Sequence, residues 1–182
     1  APAGAVVPRL RATAVTAGGF DSCALLEDGT TRCWGIALPS LGYPGHDSVG
    51  DDESPGSMPP IEFGSGGHAV DMSVGLSHTC AVLDEGSVRC WGQDESGKLG
   101  NGAAPAQEDP ATAPNVDLGG VAAVAVEAGY YHSCAVLIDG HLRCWGHGGS
   151  GALGLGDTTT IGDDEAVASV PPIDLGTGRA AV

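Results

Sequence analysis

Residues 128–146 read AGYYHSCAVLIDGHLRCWG, and the same phrase occurs twice more, as VGLSHTCAVLDEGSVRCWG at 74–92 and AGGFDSCALLEDGTTRCWG at 17–35. The three stretches align without a gap. Their leading cysteines, Cys23, Cys80 and Cys134, stand 57 and then 54 residues apart. Self-similarity at a fixed period of this size marks a chain built from stacked supersecondary units.

The spacing inside the phrase gives a hairpin. Cys134 and Cys144 are symmetric about Asp139, and a three-residue loop, Ile138-Asp139-Gly140, sets Leu137 opposite His141 and Cys134 opposite Cys144. Such a loop needs a residue in the left-handed region at its third position, where glycine is the residue of least steric cost. Gly140 stands there, as do Gly29 and Gly86 in the other copies. Counting outward, each cysteine pair falls on a non-hydrogen-bonded site, where Cα atoms are about 4.5 Å apart and within disulfide reach. The expected pairs are Cys23–Cys33, Cys80–Cys90 and Cys134–Cys144. The competing reading is reduced thiols packed as small apolar residues. The even count and the threefold registry favour disulfides, hence an oxidising compartment. The nine-residue gap does not match zinc-ligand spacing.

The connecting segments repeat too. Each carries a Leu-Gly step, at 41–42, 99–100 and 153–154, and each ends in a proline-led apolar-acidic phrase: PPIEFG at 59–64, PNVDLG at 114–119 and PPIDLG at 171–176. In the third copy, strands are expected near 121–128, 132–138 and 141–145. A fourth is expected near 170–175, placed at an edge by its prolines. Four short strands per repeat give the all-β fold of propeller blades. The boundaries read as a tail at 1–12, blades at 13–69, 70–123 and 124–178, and the start of another repeat at 179–182. Val182 is in phase with Thr13, Val70 and Val124. The expectation is therefore a whole number of repeats, open at both ends: a fragment of a longer propeller, or a protomer that joins its copies head to tail into a ring or filament. The opening APAGAVVPRL lacks a charged-then-apolar leader pattern, so a signal peptide is expected to have been removed or to lie outside a fragment.

Composition restricts the function. The net charge is −16, with seven basic residues and Lys98 the sole lysine. A duplex binder needs a basic stripe to displace counterions, so nucleic acid is excluded as a partner, and an anionic membrane surface is disfavoured. No apolar run is long enough for a spanning helix. The 42% hydrophobic content is too high for a disordered chain.

Each candidate chemical site has a plain structural alternative. His78 and His132 recur at one repeat position with no recurring nucleophile or carboxylate, so a structural role is expected. Ser22, Thr79 and Ser133 adjoin the cysteines without a triad pattern. Arg32, Arg89 and Arg143 lie opposite Ala24, Ala81 and Ala135, which suggests blade-to-blade packing with the guanidinium on a neighbour's carboxylate. Trp34, Trp91 and Trp145 read as blade core, each needing a partner for its indole N–H. Asp51-Asp52-Glu53 and Asp163-Asp164-Glu165 invite calcium. They lack the spacing of a calcium loop, and the middle copy has only Glu108-Asp109, so solvated loops are expected. No catalytic residue, metal or cofactor is expected.

The phrase A-G-x-x-H-[ST]-C-A-[VL]-L-x-[DE]-G-x-[VL]-R-C-W-G followed by L-G resembles the regulator of chromosome condensation repeat, in its cysteine-containing bacterial form. The resemblance covers nearly all of the chain after about residue 10, and the first copy departs from it at Asp21, where the others have His78 and His132. It implies a β-propeller, usually of seven blades, and protein binding through the propeller faces. It does not imply one activity, since members include a chromatin-binding nucleotide exchange factor and secreted inhibitors of β-lactamases. The expected function is a secreted or cell-surface, non-enzymatic module with a structural or protein-binding role, its partner itself or an extracellular protein. The alternative is an inhibitor-type binder of an extracellular enzyme. Such a binder needs exposed aromatic anchors, and of Tyr43, Tyr130 and Tyr131 only Tyr43 lies in a long loop.

Overall fold

The computed structural model describes residues 10–36, 38–102, 106–107 and 109–181. The tail up to residue 9, Glu108 and Val182 lie outside the described residues. Among the described residues, nine strands form three antiparallel sheets. Blade 1 holds β1 (Ala12–Gly18), β2 (Asp21–Leu26) and β3 (Thr31–Gly35). Blade 2 holds β4 (Ala69–Val74), β5 (His78–Leu83) and β6 (Val88–Gly92), and blade 3 holds β7 (Ala123–Ala128), β8 (His132–Leu137) and β9 (Leu142–Gly146).

The central hairpin registers are Cys23↔Cys33, Cys80↔Cys90 and Cys134↔Cys144, with each arginine opposite its alanine. Each first strand carries the same irregularity: the register slips by one residue between Ala12 and Ala14, Ala69 and Asp71, and Ala123 and Ala125. The extra residue is Thr13, Val70 or Val124. A bulge of this kind bends and twists the strand that bears it.

Where the sequence suggests a fourth strand, the structure has an extended segment that bonds to the third strand but adds no fourth strand to the described sheets. Ile61 N–H donates to Thr31 O, Val116 to Val88 and Ile173 to Leu142, at 2.9, 2.8 and 2.9 Å. The physical reason lies in Pro59, Pro60, Pro114, Pro171 and Pro172. Proline has no N–H to give to a ladder, so the pairing cannot be continued toward them.

The core lies between blades. Cys23, Leu25 and Cys33 of blade 1 cluster with Ala81, Leu83 and Trp91 of blade 2. The other face of blade 2, with Cys80, Val82, Val88 and Cys90, clusters with Ala135, Leu137 and Trp145 of blade 3. Thus the disulfide face of one blade meets the alanine–tryptophan face of the next. Every residue of β5 is buried, because blade 2 is covered on both sides, whereas β8 alternates between buried and half-buried.

The first strands lie side by side, β4 between β1 and β7. Among the described residues, their inner-edge N–H groups have no further strand to pair with. Side chains of the preceding blade accept some of them: Thr16 Oγ1 takes the Val74 N–H at 3.2 Å, Asp71 Oδ2 the Val126 N–H at 2.8 Å and Ser73 Oγ the Ala128 N–H at 2.9 Å. The three sheets do not close on one another, so the described residues form part of a propeller.

Candidate functional site

The three hairpins are closed by disulfides with Cα–Cα separations of 4.1, 4.1 and 4.0 Å. Gly29, Gly86 and Gly140 turn them with φ of 83°, 85° and 83°. In the outer hairpins an aspartate steadies the turn, Asp28 Oδ1 accepting from Thr30 N–H and Asp139 Oδ1 from His141 N–H, both at 3.0 Å.

A second repeated device joins the blades. The main-chain carbonyl just before each of the first two Leu-Gly steps accepts two bonds from the next blade. Ser40 O takes the Trp91 indole N–H and the Thr79 hydroxyl, both at 2.9 Å. Lys98 O takes the Trp145 indole N–H at 3.1 Å and the Ser133 hydroxyl at 3.0 Å. A carbonyl has two lone pairs, and both are used in these buried positions. Ala152 stands at the same position in blade 3. On blade 1, Trp34 and Ser22 are the matching donors and are half-buried.

Among the described residues, the arginines bond to carbonyls rather than carboxylates. Arg32 donates to Met58 O, Arg89 to Phe63 O, Pro110 O, Ala111 O and Asn115 Oδ1, and Arg143 to Val167 O and Val170 O. A planar fork of five donors suits several carbonyls of an irregular loop, so each arginine gathers the long loop onto its blade.

Two contacts have the composition of catalytic pairs. His78 Nε2 is 2.8 Å from Ser133 Oγ. The Ser133 proton goes to Lys98 O, so Nε2–H donates to the serine, the reverse of a general base. Both side chains are fully buried between blades 2 and 3, and no described carboxylate orients Nδ1. Burial, with the Lys98 and His132 charges behind it, holds His78 at a pKa of about 3, so the ring is neutral. The second pair is Lys98 Nζ, which donates to Ser77 Oγ at 2.8 Å. Lys98 is fully buried, and burial lowers its pKa against the opposing pull of Glu95 and Asp94. Sequence reading passed over Lys98; the signal available was a charged residue at the repeat position of Ser40 and Ala152. At the His78 position of blade 1, Asp21 is buried and accepts from Ser40 Oγ at 2.5 Å, and burial raises its pKa.

The acid triads lie at the surface, their nearest carboxylate oxygens within 4.8 Å of one another in each group. Glu53 turns back to accept from Gly50 N–H and Glu165 from Gly162 N–H, at 2.9 and 2.8 Å. Contact with Asp52 and Asp164 respectively raises the pKa of these two glutamates. In the middle repeat, Asp109 Oδ1 accepts from Ala111 N–H instead.

The aromatic anchors are placed differently from the sequence reading. Tyr43, in the long loop, is buried, its hydroxyl donating to Pro59 O at 3.1 Å. Tyr130 and Tyr131, in the short β7–β8 turn, are 59% and 39% exposed. Their rings meet edge to face with centroids 4.4 Å apart, and His147 lies 6.3 Å from Tyr131. Phe20, at the matching turn of blade 1, is also exposed.

The family model described as "Regulator of chromosome condensation (RCC1) repeat" matches residues 69–98 and 123–152. The chain is 35% identical over 147 residues to the ultraviolet-B receptor UVR8 of Arabidopsis thaliana, an alignment covering 80% of this chain and 32% of that protein. It is 31% identical over 146 residues to the mitochondrial RCC1 domain-containing protein RUG3 of the same plant, covering 78% and 32%. Among solved structures, human WBSCR16 superposes with a TM-score of 0.68 at 19% identity, covering 87% of this chain and 40% of that one. Yeast RCC1 (Prp20), solved bound to Kap60, superposes with a TM-score of 0.66 at 19% identity, covering 84% and 36%. These two share the fold. The chain spans about a third of the length of the curated relatives UVR8 and RUG3.

Proposed function

We propose that this chain, which belongs to the regulator of chromosome condensation (RCC1) repeat family, is a non-enzymatic protein-binding module that works outside the cell and joins further blades of its own kind head to tail. The observation that carries the reading is the doubled carbonyl lock at Ser40 and Lys98. The same donors, Trp34 and Ser22, stand on the open face of blade 1, and the matching carbonyl of Ala152 stands on blade 3. The two open faces thus carry complementary halves of a contact already made twice inside the chain. Repeats at 13–69, 70–123 and 124–178 are part of this reading. Head-to-tail contact is heterologous, so it gives a ring where the rotation closes and a filament where it does not.

Placement outside the cell is supported by three intra-hairpin disulfides. No helix among the described residues is long and apolar enough to cross a membrane. A binding rather than catalytic role is supported by the burial of both serine pairs at a blade interface, out of reach of a substrate. Among the relatives' names, UVR8 is a receptor, while human HERC2 is a ubiquitin-protein ligase of which the matched stretch is only 2%. Light scattering across a concentration series tests assembly. Mass growing in whole multiples of 18.0 kDa is expected; a monomer at all concentrations overturns it.

A second reading, an inhibitor-type binder of an extracellular enzyme, draws on the exposed Tyr130–Tyr131 pair. Exposed aromatic rings on a rigid turn are the kind of anchor such an interface uses.

A further inference from the structure

We infer that the Tyr130–Tyr131 turn, with the carboxylate beside it, is a docking site for an arginine-bearing segment of a partner protein. The inference rests on the protein-binding reading above and names the chemistry of the partner.

The site is assembled from two repeats. Ser77 occupies the blade 2 position that Tyr131 occupies in blade 3, and its small side chain leaves room for Lys98 to fold over it. The Lys98 ammonium then lies 5.6 Å from the centre of the Tyr131 ring. One cation already sits against this ring, as the negative face of an aromatic quadrupole favours. Tyr130 stands edge-on to Tyr131 and is the more exposed of the two, so an arriving planar cation has a ring face to stack on.

A carboxylate stands beside the pair. Glu95 is 3.7 Å from Lys98 Nζ, yet its side chain is 64% exposed, leaving carboxylate free for a second partner. Its charge is felt at the Tyr131 phenol, whose pKa rises through burial, then Tyr130, then Glu95. The backbone at the start of the repeat 3 acid triad packs against the turn between Glu95 and Lys98. Gly97, with φ of 68°, allows the backbone of Asp163 to pack where a Cβ would come within 2.5 Å of it. The Asp163 charge is in turn among the causes that raise Asp94. Lys98 is the one lysine of the chain, against a net charge of −16. A carboxylate beside exposed rings fits a guanidinium, whose plane stacks on an aromatic face while its fork takes a carboxylate bidentately; an ammonium is a point charge with neither the plane nor the fork.

The test is calorimetric titration at 150 mM salt with an acetylated, amidated octapeptide of alternating arginine and serine, and with its lysine and glutamate counterparts. The arginine peptide is expected to bind several-fold more tightly than the lysine peptide, and the glutamate peptide not at all. The double variant Tyr130→Ala/Tyr131→Ala is expected to weaken the arginine peptide about tenfold with the net charge unchanged. Tyr130→Ala alone, which leaves the Lys98–Tyr131 contact in place, is expected to weaken it about threefold, and it stands in for the double variant should that misfold. Glu27→Gln, at the opposite end of the strands, is expected to change nothing. Unchanged affinity in the tyrosine variants, or an equal loss with Glu27→Gln, overturns the inference in favour of attraction by bulk charge. Light scattering on the same variants keeps the two readings apart: peptide binding lost with assembly intact bears on this site alone, and the converse on assembly alone.

Discussion

The indole nitrogen of Trp145 lies 3.1 Å from the carbonyl oxygen of Lys98, a residue of the preceding blade. The bond crosses the blade 2–blade 3 core, and both side chains are fully buried. Trp145→Phe keeps most of the apolar contact and removes the donor. A net hydrogen bond contributes about 1 kcal/mol, and the smaller ring adds a cavity cost, so a loss of roughly 1–3 kcal/mol is expected. Trp91→Phe should cost about the same, and Trp34→Phe, on the open face, clearly less. Urea midpoints for the three variants check the order.

Stability should fall with acid from a pH well above the carboxylate range. Buried His78 has its pKa depressed to about 3. The unfolded histidine takes up a proton near its ordinary pKa of about 6.5, so below that pH the unfolded chain binds more protons than the folded one. The contribution of neutral His78 is therefore complete above the unfolded pKa and is lost steadily between about pH 6.5 and 3. Asp21 works in the opposite sense, since its raised pKa favours folding most at low pH. His78→Gln, which can still reach Ser133, should flatten the pH dependence between 6.5 and 4 in denaturant titrations.

Reduction should destabilise the chain in stages. Closing a loop of this length contributes about 2–3 kcal/mol per disulfide in the chain-entropy model. Cys80 and Cys90 are buried between two blades, whereas Cys134 is half-buried on the open face of blade 3. Timed thiol trapping under mild reductant should show Cys134 and Cys144 labelled first and Cys80 and Cys90 last. Non-reducing peptide mapping should give three links, each within one hairpin.

Arg89→Lys should loosen the middle repeat. The guanidinium serves Phe63 O at 2.6 Å and Asn115 Oδ1 at 2.8 Å while also reaching Pro110 O and Ala111 O. A lysine is a point donor and cannot span these positions, so several carbonyls lose their partner. A loss of about 1–3 kcal/mol is expected, with faster proteolysis between residues 106 and 118. Unchanged cleavage would assign the arginine a packing role only.

The hairpins were legible in the sequence because everything that sets them is local. A glycine at the left-handed loop position and cysteines symmetric about Asp139 leave one register, and Cys134↔Cys144 has it. The contacts between blades were not legible. Their acceptors, the carbonyls of Ser40, Lys98 and Phe63, are backbone atoms that any residue supplies, so no residue type announces them. Lys98 shows the same difficulty from the other side. The one lysine of an acidic chain reads as a solvated charge, and only the small Ser77 and the Tyr131 ring from another repeat make a buried place for it. The tyrosines were misplaced because loop length is a poor guide to exposure: Tyr43 turns inward, and the short turn carries Tyr130 outward.

The carbonyl lock has a direction, and direction bears on how such a gene grows. Each repeat offers an acceptor before its Leu-Gly step toward one side and a tryptophan with a hydroxyl toward the other. An in-phase duplication of about one period therefore inserts a blade whose two sides already match both neighbours, and an in-phase deletion rejoins sides that match equally well. Unequal recombination between copies can change blade number without any compensating substitution. A difference such as Asp21 for His78, with Ser40 in place of Lys98, alters one junction and leaves the other untouched. Copy number and junction chemistry are thus free to drift separately, which allows one repeat to seed chains of many lengths.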